Sequence, residues 1–282
     1  MAVLSPPEID HGSPSMPGDS LPIERMPGHW LLAKMGKRVL RPGGIELTRW
    51  MLDNLAIAET DRVVELAPGL GATAKLAIQS QPTEYIGVER DPAAATQVHR
   101  YLRGNRDRIV RGDAGETGLP DQCADIVYGE AMLTMQSPQQ KSKIASEAFR
   151  VLRPGGRYAI HELALQPNDL DESIKADILR DISAAIRVAA RPLTQTEWED
   201  VLRRAGFHIE EASCRLAPMH LLEPRRIIRD EGLLRAVRIA CNVLRSPPAR
   251  RRVVQMRRVF HRYRDHLCAI SLIACKDRSV SS

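Results

Sequence analysis

The 282-residue sequence predicts an α/β fold in which a mostly parallel sheet is covered by helices on both faces. Two observations carry this. Short apolar runs alternate with helix-period segments from residue 62 to residue 163. The first such run, Val63-Val64-Glu65-Leu66, then breaks at Ala67-Pro68-Gly69-Leu70-Gly71 and opens into the small-residue stretch Ala72-Thr73-Ala74.

Residues 1–25 are rich in Pro, Ser and Gly and lack periodicity, so a disordered or loosely attached tail is expected there. A short helix is predicted over 29–40, ended by Arg41-Pro42-Gly43-Gly44, and a second over 45–56 with Ile45, Trp50, Met51 and Leu55 on one side. Strands follow at 62–66, 85–89, 108–110, 124–128 and 157–163. The helices between them are 72–78, one opened by Asp91-Pro92, and 139–152, which Pro154-Gly155-Gly156 closes. Beyond Leu165 the pattern loosens into helices at 171–189 and 194–205 and strands at 206–214 and 267–274. The domain expected from this is 26–282, with a core at 42–165 and a helical insert at 217–265 between the last two strands.

Apolar content of 43% and charged content of 27% fit a soluble globular chain, and 4% aromatics argue against stacked-base recognition of nucleic acid. The five cysteines are scattered without a Cys-x-x-Cys pair, which speaks against a disulfide framework and against a metal site. The apolar run at 267–275 is too short to span a bilayer, and no signal peptide is recognisable, so a cytoplasmic location is expected. The sequence does not reveal the oligomeric state.

The net charge of +6 is unevenly placed: residues 216–266 hold thirteen arginines, no lysine and four carboxylates, a local charge of +9. Leu233, Leu234, Val237, Cys241 and Leu244 form one helical stripe in this insert, and Val253, Met256, Phe260 and Tyr263 form another. Two helices split at Pro247-Pro248, packed on the domain with arginines outward, are favoured over an anionic-membrane or nucleic-acid surface.

The glycine turn lets backbone N–H groups and a helix N-terminus approach a ligand. Two cofactor classes fit. Gly69-x-Gly71-x-x-Ala74, with Glu89 twenty residues beyond Gly69, satisfies a dinucleotide fingerprint; the same residues satisfy the acidic residue and glycine turn of an S-adenosylmethionine site. Glu65 favours the second, because its carboxylate suits the ammonium of a methionine-derived cofactor and would repel a pyrophosphate. Glu89 can accept ribose hydroxyls in either case. Asp113, in Arg111-Gly112-Asp113-Ala114, can accept from an adenine amine, and Leu152-Arg153-Pro154-Gly155-Gly156 forms a helix-to-strand turn.

With those four motifs in order over roughly 42–165, the chain resembles the class I S-adenosylmethionine-dependent methyltransferases. The likeness is strongest to the small-molecule branch that includes the ubiquinone/menaquinone and arsenite enzymes. It implies a Rossmann-like, seven-stranded sheet with an antiparallel last strand. It also implies that Glu65, Gly69 and Gly71 contact the methionine part, Glu89 the ribose, and Asp113 and Ala114 the adenine; Ala67, Arg90 and Glu130 are also expected in the cofactor set. Thr194-x-x-Glu197-Trp198 looks like the helix before the sixth strand. Two departures concern the acceptor. Relatives often carry a histidine after the fourth strand, where this chain has Glu130-Ala131-Met132-Leu133-Thr134-Met135-Gln136, and the insert occupies the last hairpin.

Ligands of open α/β sheets bind at strand C-termini, which makes Glu130, Gln136 and His161 the candidates for the acceptor side. His161 is either a general base or a hydrogen-bonded structural histidine, and Gln136 either lines the pocket or faces solvent. The expected function is methyl transfer to a small molecule by in-line displacement, with insert arginines available to attract an anionic acceptor. The rival classes are an NAD-dependent oxidoreductase and a non-catalytic or nucleic-acid-associated module on the same fold.

Overall fold

A computed structural model describes residues 16–210 and 213–278. Strands β1 (Arg62–Leu66), β2 (Glu84–Glu89), β3 (Asp107–Arg111), β4 (Ala124–Glu130) and β5 (Leu152–Leu165) pair in parallel in the order β3-β2-β1-β4-β5. The two-residue β6 (Leu193–Thr194) extends β5, while β7 (Cys214–Pro218) and β8 (Leu267–Cys275) complete the sheet. β8 runs antiparallel to both β5 and β7. The main path therefore has the expected seven strands, and β6 is an addition to it.

The helices are α1 (Gly28–Lys34), α2 (Gly44–Leu55), α3 (Ala72–Gln79), α4 (Pro92–Val98), α5 (Pro138–Val151), α6 (Glu172–Ile186), α7 (Gln195–Arg204), α8 (Pro224–Glu231), α9 (Leu233–Arg245) and α10 (Pro247–Arg262). Local chemistry explains several of their starts. Asp91 accepts from the Ala93 and Ala94 amides with Pro92 in the first turn, Ser137 accepts from Gln140, and Thr194 with Glu197 forms a reciprocal capping box. The central strand β4 is buried along six of its seven residues, as a strand covered on both faces must be. One face packs on Ile144, Ala148, Trp198 and Leu202 of α5 and α7; the other packs on Met51, Leu55, Ala74 and Ala77 of α2 and α3.

Four expectations need revision. The predicted strand at 206–214 is displaced to Cys214–Pro218, with residues 211 and 212 outside the described set. Phe207 imitates strand alternation because it is buried against Phe149 and Tyr158, while His208 only bridges to Cys275. Pro154-Gly155-Gly156 lies inside β5 as a register shift, so that strand begins at Leu152. Of the expected loose tail, 1–15 lie outside the described residues, whereas 16–25 are docked: Arg252 Nη1 donates to the carbonyls of Ile23 (2.7 Å) and Met26 (2.8 Å).

The insert supplies the fourth revision. It forms three helices, and only the second stripe is packed inward, with Met256 buried and Val253 and Phe260 against the same cluster. The first stripe faces solvent; Leu234 is 89% exposed and Leu233 64%. Helix α9 is instead attached through the opposite side, where Ile239 is buried and Asn242 donates to the Met35 carbonyl at 3.0 Å. At the end of α8, Glu231 Oε1 accepts from the amides of Arg38 (2.7 Å) and Val39 (2.8 Å). Among the described residues no helix is long and apolar enough to cross a membrane, and no group of three or more His, Cys, Asp or Glu is arranged to hold a metal.

Candidate cofactor and acceptor site

A cavity of about 720 Å³ opens at the C-terminal ends of the parallel strands, under the cover formed by α1, α6 and α10. Its size lies within the roughly 300–1,000 Å³ of small-molecule sites. One end is polar and is built by the first four strands. The other is apolar and is built by the covering helices.

At the polar end, the turn after β1 places Ala67 (φ 53°), Gly69 (φ 57°) and Gly71 (φ 74°) in left-handed backbone conformations. The two glycines do different work. A Cβ on Gly69 would meet nothing nearer than 4.0 Å, so that position is open to the cavity. A Cβ on Gly71 would come within 2.9 Å of the Tyr101 ring, and Gly71 is not among the cavity walls. At Gly71 the structure shows close packing beneath the turn, not a cavity wall.

Glu89 is buried at the end of β2 and steadies the turn: Oε2 accepts from the Gly69 amide (3.0 Å) and Oε1 from the Asp91 amide (2.9 Å). Asp113 and Ala114 reach the same cavity from the loop after β3. Asp113 Oδ1 accepts from the Gly115 amide (2.8 Å) and Gln140 Nε2 (3.0 Å). Arg90 also borders the cavity, but its side chain is 80% exposed and stands 3.9 Å from Asp113, a weak pairing in solvent.

Glu65 forms the floor. Tyr85 and Tyr128 both donate to its Oε2, at 2.6 and 2.7 Å, and Oε1 has no partner among the described residues. Burial drives the Glu65 carboxyl up to about 7 against the opposing effect of the two hydroxyls. Glu130, at the end of β4, behaves oppositely. Burial would raise it, but the Arg41 guanidinium and the contacts from His161 and Thr73 outweigh that and hold it at about 2. Arg41 Nη1 lies 3.3 Å from Glu130 Oε2, and Thr48 donates to Oε1 at 2.7 Å.

His161 is brought next to Glu130 but not to the cavity. It is fully buried, with Nδ1 2.7 Å from Glu130 Oε1 and Nε2 2.6 Å from the Pro42 carbonyl. Both ring nitrogens are engaged, so the general-base expectation gives way to the structural one. Gln136 does line the cavity, its amide donating to the Met132 carbonyl at 3.2 Å. The loop that carries it is fastened by Glu162, whose buried carboxylate accepts from the amides of Met132, Leu133 and Thr134.

Three wall residues were missed by sequence reasoning. Arg41 sat in a stretch read only as a chain break; it is 6% exposed, and its Nε and Nη2 have no partner among the described residues. Thr73 opens α3 and donates to Glu130, a role hidden among small residues. His29 lies on α1 at the apolar end, where burial pushes its imidazole down to about 4 and leaves it neutral. The remaining walls there include Trp30, Ile182, Ile186, Met219, Met256 and Phe260.

Residues 64–160 match a family model described as a methyltransferase domain. Over 242 residues the chain is 31% identical to an uncharacterized protein of Haemophilus influenzae, covering 84% of this chain and 92% of that one. It is 28% identical over 178 residues to the 27-O-demethylrifamycin SV methyltransferase of Amycolatopsis mediterranei, covering 59% of this chain and 62% of that enzyme. Among solved structures, phosphoethanolamine N-methyltransferase 2 of Haemonchus contortus, in complex with S-adenosyl-L-methionine, shares the fold with a TM-score of 0.65. That likeness has 18% identity and covers 89% of this chain and 57% of the other. The chain thus spans less than two thirds of the length of these two named enzymes.

Proposed function

Because the chain belongs to the class I S-adenosylmethionine-dependent methyltransferases, we propose that it transfers the cofactor's methyl group to a small, largely apolar acceptor held beneath α1, α6 and α10. The observation that carries this reading is the division of one cavity into a carboxylate-lined end and an apolar end. The cofactor, when bound, supplies an electrophilic methyl group on a sulfonium and a neutral thioether leaving group, so transfer by in-line displacement needs no acid for departure.

The polar end fits that cofactor on its own chemistry. Glu65 offers a free carboxylate oxygen to an ammonium, and the orphaned Nε and Nη2 of buried Arg41 offer donors to a carboxylate. Glu89 suits a pair of hydroxyls, and Asp113 an exocyclic amine. A pyrophosphate would instead meet the carboxylates of Glu65, Glu89 and Glu130 at the strand ends, which disfavours the NAD reading.

At the acceptor end the chain positions the substrate and keeps water away. Insert arginines are absent from these walls; Met219, Leu221, Met256 and Phe260 are what the insert contributes. An apolar body is therefore a better fit than an anionic one. Neutral His29 and Gln136 are the groups proposed to hydrogen-bond the acceptor's nucleophilic atom, and His161 acts through Glu130 rather than on substrate. The five free cysteines support a reducing, cytoplasmic setting.

Calorimetry with S-adenosylmethionine and with NAD(H) tests the cofactor; binding of NAD(H) alone would overturn it. Labelled-methyl transfer to a metabolite library tests the acceptor, and products confined to highly charged molecules would refute the apolar assignment.

A further inference from the structure

The arginine-rich insert presents a surface that methyl transfer does not use. Leu233 (64% exposed), Leu234 (89%), Val237 (53%) and Leu244 (63%) all stand on the outer side of α9. At 3.6 residues per turn they share an arc of roughly 100°, with half-buried Cys241 inside it and Arg238 and Arg245 along one edge. Arg229, Arg235 and Arg257 pair with carboxylates, whereas Arg238 and Arg245 pair with none among the described residues.

This exposure is built in. The inner side of α9 is held by buried Ile239 and by the bond from Asn242 to the Met35 carbonyl, so the helix cannot roll its leucines inward without losing both. Four large aliphatic side chains held together in water mark a contact surface.

We propose that α9 docks the protein on an anionic lipid surface, with its leucines and valine among the acyl chains and its arginines at the phosphates. Charge chooses this occupant. Segment 216–266 carries +9, so a two-fold contact with a second copy would bring two such segments face to face. Nucleic acid would meet an aliphatic strip with no donors at its centre. A bilayer with anionic headgroups satisfies both halves of the helix, as in interfacial amphipathic helices. The backing segment leads from Met35 directly to Arg38, Leu40 and Arg41 on the cavity wall, which sets the docking helix beside the acceptor chamber.

Cosedimentation of the full-length protein with vesicles tests it. Binding to equimolar phosphatidylcholine and phosphatidylglycerol is expected to exceed binding to phosphatidylcholine alone by roughly tenfold or more and to weaken with salt. The triple variant Leu233→Gln, Leu234→Gln, Leu244→Gln is expected to lose it with an unchanged melting temperature, since all three side chains are exposed. Arg238→Gln with Arg245→Gln is expected to weaken it and flatten the salt dependence. Hydrogen exchange on the unmodified protein should show vesicle protection centred on α9, which keeps the test valid if the leucine variant is unstable. No binding, equal binding by a folded leucine variant, or protection elsewhere than α9 would overturn the proposal. Light scattering that shows a dimer dissolved by the leucine substitutions would assign the stripe to a second copy instead.

Discussion

His161 Nδ1 lies 2.7 Å from Glu130 Oε1, while the other ring nitrogen lies 2.6 Å from the carbonyl of Pro42. One imidazole thereby joins the ends of β4 and β5 to the segment that enters α2. His161→Ala would strip a buried carboxylate of one partner and strand a buried carbonyl. The expected loss is about 2–4 kcal/mol of stability in urea unfolding, with any methyl transfer reduced only through cofactor affinity. A variant of normal stability and cofactor affinity but without turnover would return His161 to the reacting atoms.

Glu65 predicts a pH dependence. Its carboxyl is raised from the ordinary 4.5 to about 7, so the folded protein holds a proton that the unfolded chain has released. Stability without cofactor should therefore decline as pH rises from 4.5 through 7. An ammonium ligand selects the ionised carboxylate. Cofactor affinity should then increase roughly tenfold between about pH 5.5 and 7.5, and Glu65→Gln should abolish the increase. Calorimetry across that range reads the effect, and a flat profile for the unmodified protein would exclude Glu65 as the ammonium partner.

The two turn glycines should separate. Gly71→Ala forces a methyl to within 2.9 Å of Tyr101 at a φ of 74° and should mainly destabilise the fold. Gly69→Ala meets only the backbone preference, about 1–2 kcal/mol, but places its methyl in the cavity and should mainly weaken cofactor binding. Thermal melts and calorimetry on both variants decide it; the reverse pattern would place Gly71 at the ligand and Gly69 in the packing beneath the turn.

Glu89→Ala should weaken cofactor binding by roughly 1–3 kcal/mol, the usual scale for lost charge-assisted hydrogen bonds. Equilibrium binding measures this directly, and unchanged affinity would remove Glu89 from the site.

The polar end of the cavity was legible because its signals are local. Glu65, Gly69, Glu89 and Asp113 each sit at a strand end or turn that periodicity and glycine placement reveal. The apolar end was not, because its walls come from residues far apart in the chain whose only local mark is being apolar. Arg41 lay in an apparent linker and His29 in a short helix, and neither type nor spacing shows that they converge. The stripe on α9 misled for a related reason. Amphipathicity shows that a helix has an apolar side, but not whether the protein itself covers it. Here Asn242 and Ile239, on the other side, decide the docking.

The carboxylate of Glu231, by holding the amides of Arg38 and Val39 across a sequence separation of 193 and 192 residues, has a consequence for how the cavity can be reshaped. The stretch that marks the family, 64–160, contains neither partner of that clasp. Changes in the insert can be transmitted to the Arg38–Arg41 wall without altering a residue of the Glu65–Gly71 turn. The helix-built end of the cavity can thus be reshaped from the α8 side while the strand-end carboxylates stay as they are.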